Sequence, residues 1–267
     1  MEMTVNRFKR SLGRRVMLGT WLMSGSTAAA EALGCLGFDF LVVDTEHVPV
    51  DAPQALALLQ AIAGTPAQPI VRLAWNDPVL VKRAMDMGAQ SLMFPFVETA
   101  DEARRAVAAT RYPPAGSRGF AGMHRASRYG TVADFGRRAN DEACVIIQIE
   151  TLQAIARLEE IAGVDGVDAI FAGPGDLSAA CGHIGEVGHP EVQAHLLNAA
   201  ATCRRLGKPC GTIAPHADMA KRFIDDGYSF VAVASDMAMM MRQAGEFLGQ
   251  LRRKVDEPAA AGRTGGG

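Results

Sequence analysis

Four polar residues of types that can do chemistry stand within or shortly after short apolar runs of the sequence. His47 comes after one such run, Arg72 lies inside another, and Glu150 and Asp176 follow two more. Taken singly, each has an ordinary structural explanation, such as a surface ion pair, a partner for a helix start or a hydrogen-bonded histidine. All four stand in or after apolar runs that we interpret as strands of one barrel, whose ends meet at one rim, and this shared position favours one common site.

The two carboxylates predict a site for a hard divalent cation. Glu150 and Asp176 have no cysteine or histidine beside them, and oxygen donors of this kind suit Mg²⁺ or Mn²⁺. Alternation along a strand puts Gln148 on the same face as Glu150. The small Gly175, next to Asp176, would let the backbone approach a ligand closely.

Arg72 and His47 add anion binding and proton transfer to this set. An arginine can pair bidentately with a carboxylate, and a histidine can move a proton when a nearby aspartate fixes its tautomer. The inventory fits a metal-bound 2-oxo acid whose enolate is stabilised by the cation. A Schiff-base aldolase is disfavoured, because no lysine stands at the C-terminal end of a predicted strand.

Eight short apolar runs alternate with amphipathic segments and predict the elements that position these residues. The predicted strands are Val16–Leu22, Phe38–Val43, Pro69–Leu73, Ser91–Phe94, Cys144–Ile149, Ala169–Ala172, Cys210–Ile213 and Phe230–Ala234. The predicted helices are Thr27–Leu36, Asp51–Ala63, Pro78–Met87, Thr99–Ala109, Thr151–Ile161, Glu191–Leu206, His216–Asp226 and Asp236–Lys254.

This β-then-α series predicts an α/β fold, a (β/α)₈ barrel with its site at the C-terminal ends of the strands. A doubly wound sheet is the alternative, but no G-x-G-x-x-G follows the first strand. Residues 111–140 form a long excursion between the fourth and fifth strands. We expect one catalytic domain over residues 1–256 and a disordered, Ala- and Gly-rich tail over 257–267.

Composition narrows the class of protein. The chain has 267 residues and a formal net charge of −2, which gives no global electrostatic case for nucleic acid or an anionic membrane. No apolar run reaches the roughly 18 residues that span a bilayer. Five scattered cysteines without a C-x-x-C pair favour a reducing compartment, and we expect a cytoplasmic protein. Arg14 and Arg15 could open a twin-arginine signal, but the interrupted patch after them favours a lead-in to the first strand.

Several motifs taken together resemble the class II pyruvate-dependent aldolases of the HpcH/HpaI family. The resemblance covers the chain from about Gly19 to Asp236 and is specific only in combination. Its markers are Gly19-Thr20-Trp21, Asp44-Thr45-Glu46-His47, Val71-Arg72, Met87-Gly88-Ala89-Gln90, Arg111-Tyr112-Pro113-Pro114 with Arg118-Gly119, Gln148-Ile149-Glu150, and Gly173-Pro174-Gly175-Asp176-Leu177-Ser178.

The resemblance implies a role for each site residue. Glu150 and Asp176 match the ligands of a divalent cation, Mg²⁺ or Mn²⁺ with Co²⁺ as a further option, and the resemblance implies no organic cofactor. Arg72 matches the arginine that holds the pyruvyl group, and His47 matches the catalytic histidine. The remaining matches are Asp44, associated with that histidine; Asp86, which approaches from a neighbouring subunit; and Gln148 and the backbone of Gly175, which contact substrate.

The resemblance also implies the reaction and the assembly. We expect reversible cleavage of 4-hydroxy-2-oxo acids to an aldehyde and pyruvate, or a related 2-oxo acid such as hydroxypyruvate, through a metal-stabilised enolate. The alternatives are oxaloacetate decarboxylation within the same family and a non-catalytic ligand-binding barrel. A phosphoenolpyruvate/pyruvate-type barrel, self-association as a trimer or hexamer, and a last helix packed on a neighbour complete the expectation. Thr45 and Gly175 depart from the family pattern and put the aldehyde preference in doubt.

Overall fold

The computed structural model describes residues 1–256, in which eight parallel strands close into a barrel in sequence order. Each strand pairs with the next along the chain, and β1 closes the barrel against β8. The predicted (β/α)₈ architecture is therefore confirmed. The strands are β1 Met17–Leu22, β2 Phe40–Asp44, β3 Gln68–Arg72, β4 Ser91–Phe94, β5 Cys144–Ile149, β6 Ala169–Ala172, β7 Cys210–Ala214 and β8 Phe230–Ser235.

Helices cover the outside of the barrel. They are α1 Arg7–Ser11, α2 Thr27–Cys35, α3 Ala52–Ile62, α4 Pro78–Asp86, α5 Ala100–Thr110, α6 Phe135–Glu142, α7 Leu152–Ala156, α8 Leu158–Ala162, α9 Pro174–Ala180, α10 Pro190–Arg205, α11 Ala217–Asp225 and α12 Asp236–Asp256. Local signals set several starts: Asp77 caps α4 ahead of Pro78, and Thr99 and Glu102 form a capping box on α5.

The barrel interior is packed with side chains at its N-terminal end. Phe8 of α1 lies across that end, with its ring centroid 5.5 Å from those of Phe40 and Phe230. Gly19 and Gly211 make room for these rings, because a Cβ would lie 2.3 Å from Phe40 and 2.1 Å from Phe230. Because side chains close the N-terminal end of the barrel, the end that is left open to a ligand is the opposite, C-terminal rim.

A second apolar layer fills the space between the strands and the surrounding helices. It includes Leu41, Val43, Val71, Leu92 and Ile147, each essentially inaccessible to solvent. Successive residues of a strand alternate between this layer and the barrel interior, as Leu41 and Val43 do with Phe40 and Val42. The strands are thus buried on both faces, as their continuous apolar sequences predict.

The prediction of one helix over residues 151–161 was wrong, and four helical elements were not predicted: α1, α6, α9 and a 3₁₀ turn. Residues 151–161 form two short helices, α7 and α8, because the backbone leaves the helical region at Arg157 (φ −106°, ψ 15°). The excursion 111–140 contains a 3₁₀ turn at Arg125–Ser127 and the start of α6. α1 and α9 are too short to show a period, and α6 is largely polar. The tail expected to be disordered, 257–267, lies outside the described residues.

The segment after Arg14 and Arg15 forms β1 and pairs with both β2 and β8, as the lead-in interpretation predicts. Among the helices of residues 1–256, none combines the length and apolar character required to cross a bilayer.

Candidate active site

Arg72 and Asp44 form the centre of the polar cluster at the C-terminal rim. The parallel register of β2 and β3 sets Asp44 directly beside Arg72. Nε of Arg72 donates to Oδ1 of Asp44 at 2.9 Å, and Nη2 donates to Oδ2 at 2.6 Å. Both residues are buried, so this bidentate pair fixes the plane of the guanidinium.

Two more side chains hold the same guanidinium. Oε2 of Glu46 lies 3.1 Å from Nη1 of Arg72, as an ion pair without a hydrogen bond. Trp21 places its ring under the guanidinium, with the Arg72 Cζ 5.3 Å from the ring centroid. Arg72 is thus constrained on its edges and on one face, which suits a group that must present N–H donors to a ligand.

Glu150 is held by one group from the loop after β4 and by one side chain of β5. Its Oε1 accepts a hydrogen bond from the backbone N–H of Phe96 at 2.9 Å, and its Oε2 accepts one from Nε2 of Gln148. Phe96 adopts a left-handed conformation (φ 50°) and stacks on Trp75. Such a backbone is uncommon for a bulky residue. Here it aims the N–H at the carboxylate.

Gly173 provides the space that Glu150 occupies. A Cβ at Gly173 would lie 2.8 Å from Oε2 of Glu150 and 3.2 Å from Nε2 of Gln148. Gly173 also begins α9, whose first turn carries Asp176. At Gly175 a Cβ would meet nothing within 4 Å, so that backbone is open to a ligand.

Two carboxylates of the rim, Glu46 and Glu150, have raised pKa values, chiefly because they are buried. Burial raises the pKa of Glu150 to about 7, and Asp176 and Glu46 act in the same direction against the hydrogen bonds from Gln148 and Phe96. Burial likewise raises the pKa of Glu46 to about 7, where Arg72 opposes it and Asp44 and Asp176 add to it. Over the described residues, the rim therefore carries more acidic groups than Arg72 alone can balance.

This donor set fits a hard divalent cation. Glu150 and Asp176 offer carboxylate oxygens, and the buried Oε2 of Glu46 and Oε1 of Gln148 have no hydrogen-bond partner. Unpartnered buried acceptors are costly, and a cation or the water around it would satisfy them. The environment is that of a Mg²⁺- or Mn²⁺-type site rather than a thiolate or imidazole site.

Of the predicted residues, His47 lies at the edge of this site and Asp86 lies far from it. His47 follows β2 with a half-exposed ring, and its Nε2 is 4.0 Å from Oε2 of Glu46, while Asp44 is paired with Arg72. Asp86 ends α4 and so lies at the opposite, N-terminal end of the barrel. There it accepts a hydrogen bond from Arg118 at 2.6 Å and lies 3.5 Å from Nε2 of His124.

Comparison with known proteins identifies the family to which the chain belongs. The family model described as HpcH/HpaI aldolase/citrate lyase matches residues 16–243. The chain belongs to this HpcH/HpaI family. It is 54% identical over 244 residues to the 2-dehydro-3,6-dideoxy-6-sulfogluconate aldolase of Pseudomonas putida, covering 91% of this chain and 96% of that protein. It is 45% identical to the hydroxypyruvate/pyruvate aldolase of Sagittula stellata, covering 91% of this chain and 97% of that protein.

A solved structure extends the agreement to the whole barrel. An HpcH/HpaI family protein from Burkholderia cenocepacia J2315 superposes with a TM-score of 0.90 at 38% identity, covering 93% of this chain and 100% of that one. The predicted HpcH/HpaI membership is therefore confirmed. The relatives named above are aldolases, which are carbon–carbon lyases.

Sequence reasoning missed three members of this HpcH/HpaI site. Glu46 lies in the bend after β2, where strand alternation no longer applies, and its only signal was its place in the motif that also carries Asp44 and His47. Trp21 lies inside an apolar run, which predicts a residue of the hydrophobic core rather than of a site. Phe96 contributes only its backbone N–H, and no side-chain pattern could have indicated it.

Proposed function

We propose that the protein is a metal-dependent class II aldolase that cleaves 4-hydroxy-2-oxo acids to pyruvate and an aldehyde. The observation that carries the proposal is the rim itself, where Asp44 fixes Arg72 beside the carboxylates of Glu46, Glu150 and Asp176. An anion-binding arginine and a cation site, side by side, match the two ends of a 2-oxo acid.

Arg72 binds and orients the substrate. Asp44 occupies Nε and Nη2, whereas Nη1 pairs with Glu46 at 3.1 Å without a hydrogen bond and so keeps its N–H donors for an oxygen of the 2-oxo acid. The same N–H groups stabilise the negative charge that develops on the C2 oxygen as the enolate forms. Glu150 and Asp176 would hold the divalent cation, which when bound supplies positive charge to polarise the 2-oxo group.

His47 accepts the proton of the C4 hydroxyl. As that proton leaves, the C4 oxygen forms the aldehyde carbonyl, the C3–C4 bond breaks, and its electron pair passes into the enolate of pyruvate. Protonation of C3 then gives pyruvate, and synthesis is the reverse. The ring of His47 is half exposed, which supports a role in proton transfer to a substrate that enters from solvent.

The apolar surface of α12 supports self-association, which we propose to be a trimer or hexamer. The helix has 21 residues and none is buried. Its exposed apolar side chains are Met237, Met240, Met241, Phe247, Leu248, Leu251 and Val255. Asp86 fits this assembly, because a residue at the far end of its own barrel can complete a neighbour's site. We further propose a cytoplasmic location.

The deciding experiment follows deuterium exchange of the pyruvate methyl protons by NMR. We expect exchange that requires added Mg²⁺ or Mn²⁺ and is lost in the Glu150→Ala/Asp176→Ala variant. The matched control removes two exposed carboxylates, as Asp101→Ala/Asp218→Ala, and keeps the exchange. Absence of exchange with pyruvate, hydroxypyruvate and oxaloacetate under every metal would refute the proposal and favour a non-catalytic barrel.

A second assay addresses the aldehyde and the decarboxylase alternative. Pyruvate release from 2-dehydro-3,6-dideoxy-6-sulfogluconate is followed with a coupled reductase, beside simpler 4-hydroxy-2-oxo acids and oxaloacetate. Cleavage of any hydroxy-oxo acid, lost in Arg72→Ala with the fold intact, supports the aldolase. Turnover of oxaloacetate alone assigns the decarboxylase instead.

A further inference from the structure

A second cluster of metal-ligating side chains lies outside the active site, between the end of α9 and the first two turns of α10. Two groups of three donors share one carboxylate there, and within each group the ligand atoms all lie within 4.8 Å of one another. One group is Cys181, Glu191 and His195, and the other is His183, His189 and Glu191.

Helix geometry brings these donors together. Glu191 and His195 are four residues apart on α10 and therefore share one face of the helix. The loop after α9 returns His183 to the same face, where its Nε2 lies 3.0 Å from Oε2 of Glu191. Cys181 is a free, half-buried thiol at the C-terminal end of α9.

His189 has a different task. Its Nδ1 accepts a hydrogen bond from the backbone N–H of Glu191 and so caps α10. A neutral imidazole has one lone pair, so this nitrogen cannot cap the helix and bind an ion at once. The ring stacks on His183, with centroids 3.4 Å apart, and thereby fixes the ring that faces Glu191.

We propose that Cys181, His183, Glu191 and His195 form a second metal site, for a transition-metal ion of the Zn²⁺ class. One thiolate, two imidazoles and one carboxylate suit a borderline-soft ion that prefers four ligands. Within each group, bonds of about 2.0–2.3 Å would draw the donors roughly an ångström closer than their present limit, a shift within reach of side-chain rotation. Glu191 belongs to both groups and would bring His183 and the pair Cys181 and His195 to one ion. Glu191 would exchange its contact with His183 for the shared ion.

The site is separate from the carboxylate rim but connected to it through α9. Asp176 lies in the first turn of α9 and Cys181 follows its last residue, roughly 7 Å along the axis. An ion here would tie the end of α9 to the start of α10. Its expected effect is to stabilise the segment that carries Asp176.

The test uses the full chain in the Glu150→Ala/Asp176→Ala background, so the active-site metal does not contribute and activity is not the readout. Metal-free protein is titrated with Co²⁺, and Zn²⁺ affinity is measured by competition with a chelating dye. We expect one equivalent of Co²⁺ with a thiolate-to-metal charge-transfer band, displaced by one equivalent of Zn²⁺.

Variants assign the ligands. Cys181→Ser should abolish the band, and His195→Gln should weaken Zn²⁺ binding at least tenfold. Cys35→Ser removes another exposed cysteine and should leave both unchanged, as should His216→Gln, which alters a histidine that caps α11. Circular dichroism of each variant confirms that it is folded. Absence of saturable binding, or binding of undiminished strength in both Cys181→Ser and His195→Gln, overturns the proposal.

Discussion

Gly173→Ala is the sharpest perturbation of the candidate active site. The backbone at Gly173 (φ −85°, ψ 101°) is allowed for alanine, so the substitution adds a methyl group without straining the chain. That methyl would lie 2.8 Å from Oε2 and 3.1 Å from Cβ of Glu150. Contacts this short do not persist, so Glu150, Gln148 or the start of α9 must move.

The magnitude follows from the required displacement. Restoring an ordinary contact of about 3.5 Å moves the Glu150 carboxylate by more than half an ångström, and a misplacement of about 1 Å can cost 10²-fold in rate. We therefore expect kcat/KM to fall by about 10²-fold, equivalent to about 2.7 kcal/mol. Overpacking costs typically about 1–3 kcal/mol of stability, so the melting temperature should fall by several degrees.

The assay compares Gly173→Ala with Gly175→Ala, measuring pyruvate release, metal dependence and thermal unfolding in parallel. At Gly175 the added methyl meets nothing within 4 Å. That control should therefore keep its stability and its metal dependence, and any loss should appear in substrate KM. Wild-type turnover and melting temperature in Gly173→Ala would refute the claim that Gly173 sets the position of Glu150.

Three further predictions address Arg72, the rim carboxylates and the barrel base. Asp44→Asn sets an amide donor against Nη2 of Arg72, so kcat/KM should fall at least tenfold while circular dichroism is unchanged; unaltered kinetics would contradict the positioning role. Burial raises the pKa of Glu46 to about 7, so this carboxyl group holds its proton more tightly in the folded state than in the unfolded state. The protonated Glu46 therefore contributes stability at low pH, and that contribution is lost as pH rises from about 4.5 towards 7. Glu46→Gln should therefore make the melting temperature of the metal-free protein fall less steeply over that pH range. Part of the fall should remain, because the pKa of Glu150 is raised to about 7 as well. An unchanged slope would contradict the contribution assigned to Glu46. Phe8→Ala should cost about 3–5 kcal/mol in denaturant unfolding by emptying the base of the barrel, and a loss below 1 kcal/mol would show that Phe8 does not close it.

The strands were predictable because burial on both faces leaves a simple trace in the sequence. Ser91–Phe94, Cys144–Ile149 and Ala169–Ala172 were predicted with the boundaries that the structure has. Parallel strands in series with helices then leave few topologies, and closure into a barrel follows. The helices α9 and α6 were missed because α9 is too short, and α6 too polar, to show the hydrophobic periodicity of a helix.

The site was predictable in its parts but not in its pairings. Alternation gave the shared face of Gln148 and Glu150, and the structure pairs them. The pairing of Asp44 with Arg72 depends on the register between β2 and β3, which no local pattern records. The roles of the site residues stay predictions, because each depends on a substrate, a cation or, for Asp86, a neighbouring subunit.

Charge balance connects the geometry of the rim to the reaction. Within residues 1–256, Arg72 is the guanidinium that pairs with both Asp44 and Glu46, and Glu150 and Asp176 add two further acidic groups close by. An anionic 2-oxo acid brought to this rim would meet repulsion that the guanidinium alone cannot offset, because like charges in a buried site interact strongly. A divalent cation at Glu150 and Asp176 reverses that balance and creates attraction for the same substrate. Pyruvate affinity should therefore depend on the cation more steeply than the stability of the fold does, since the barrel core lies below the rim and is independent of it.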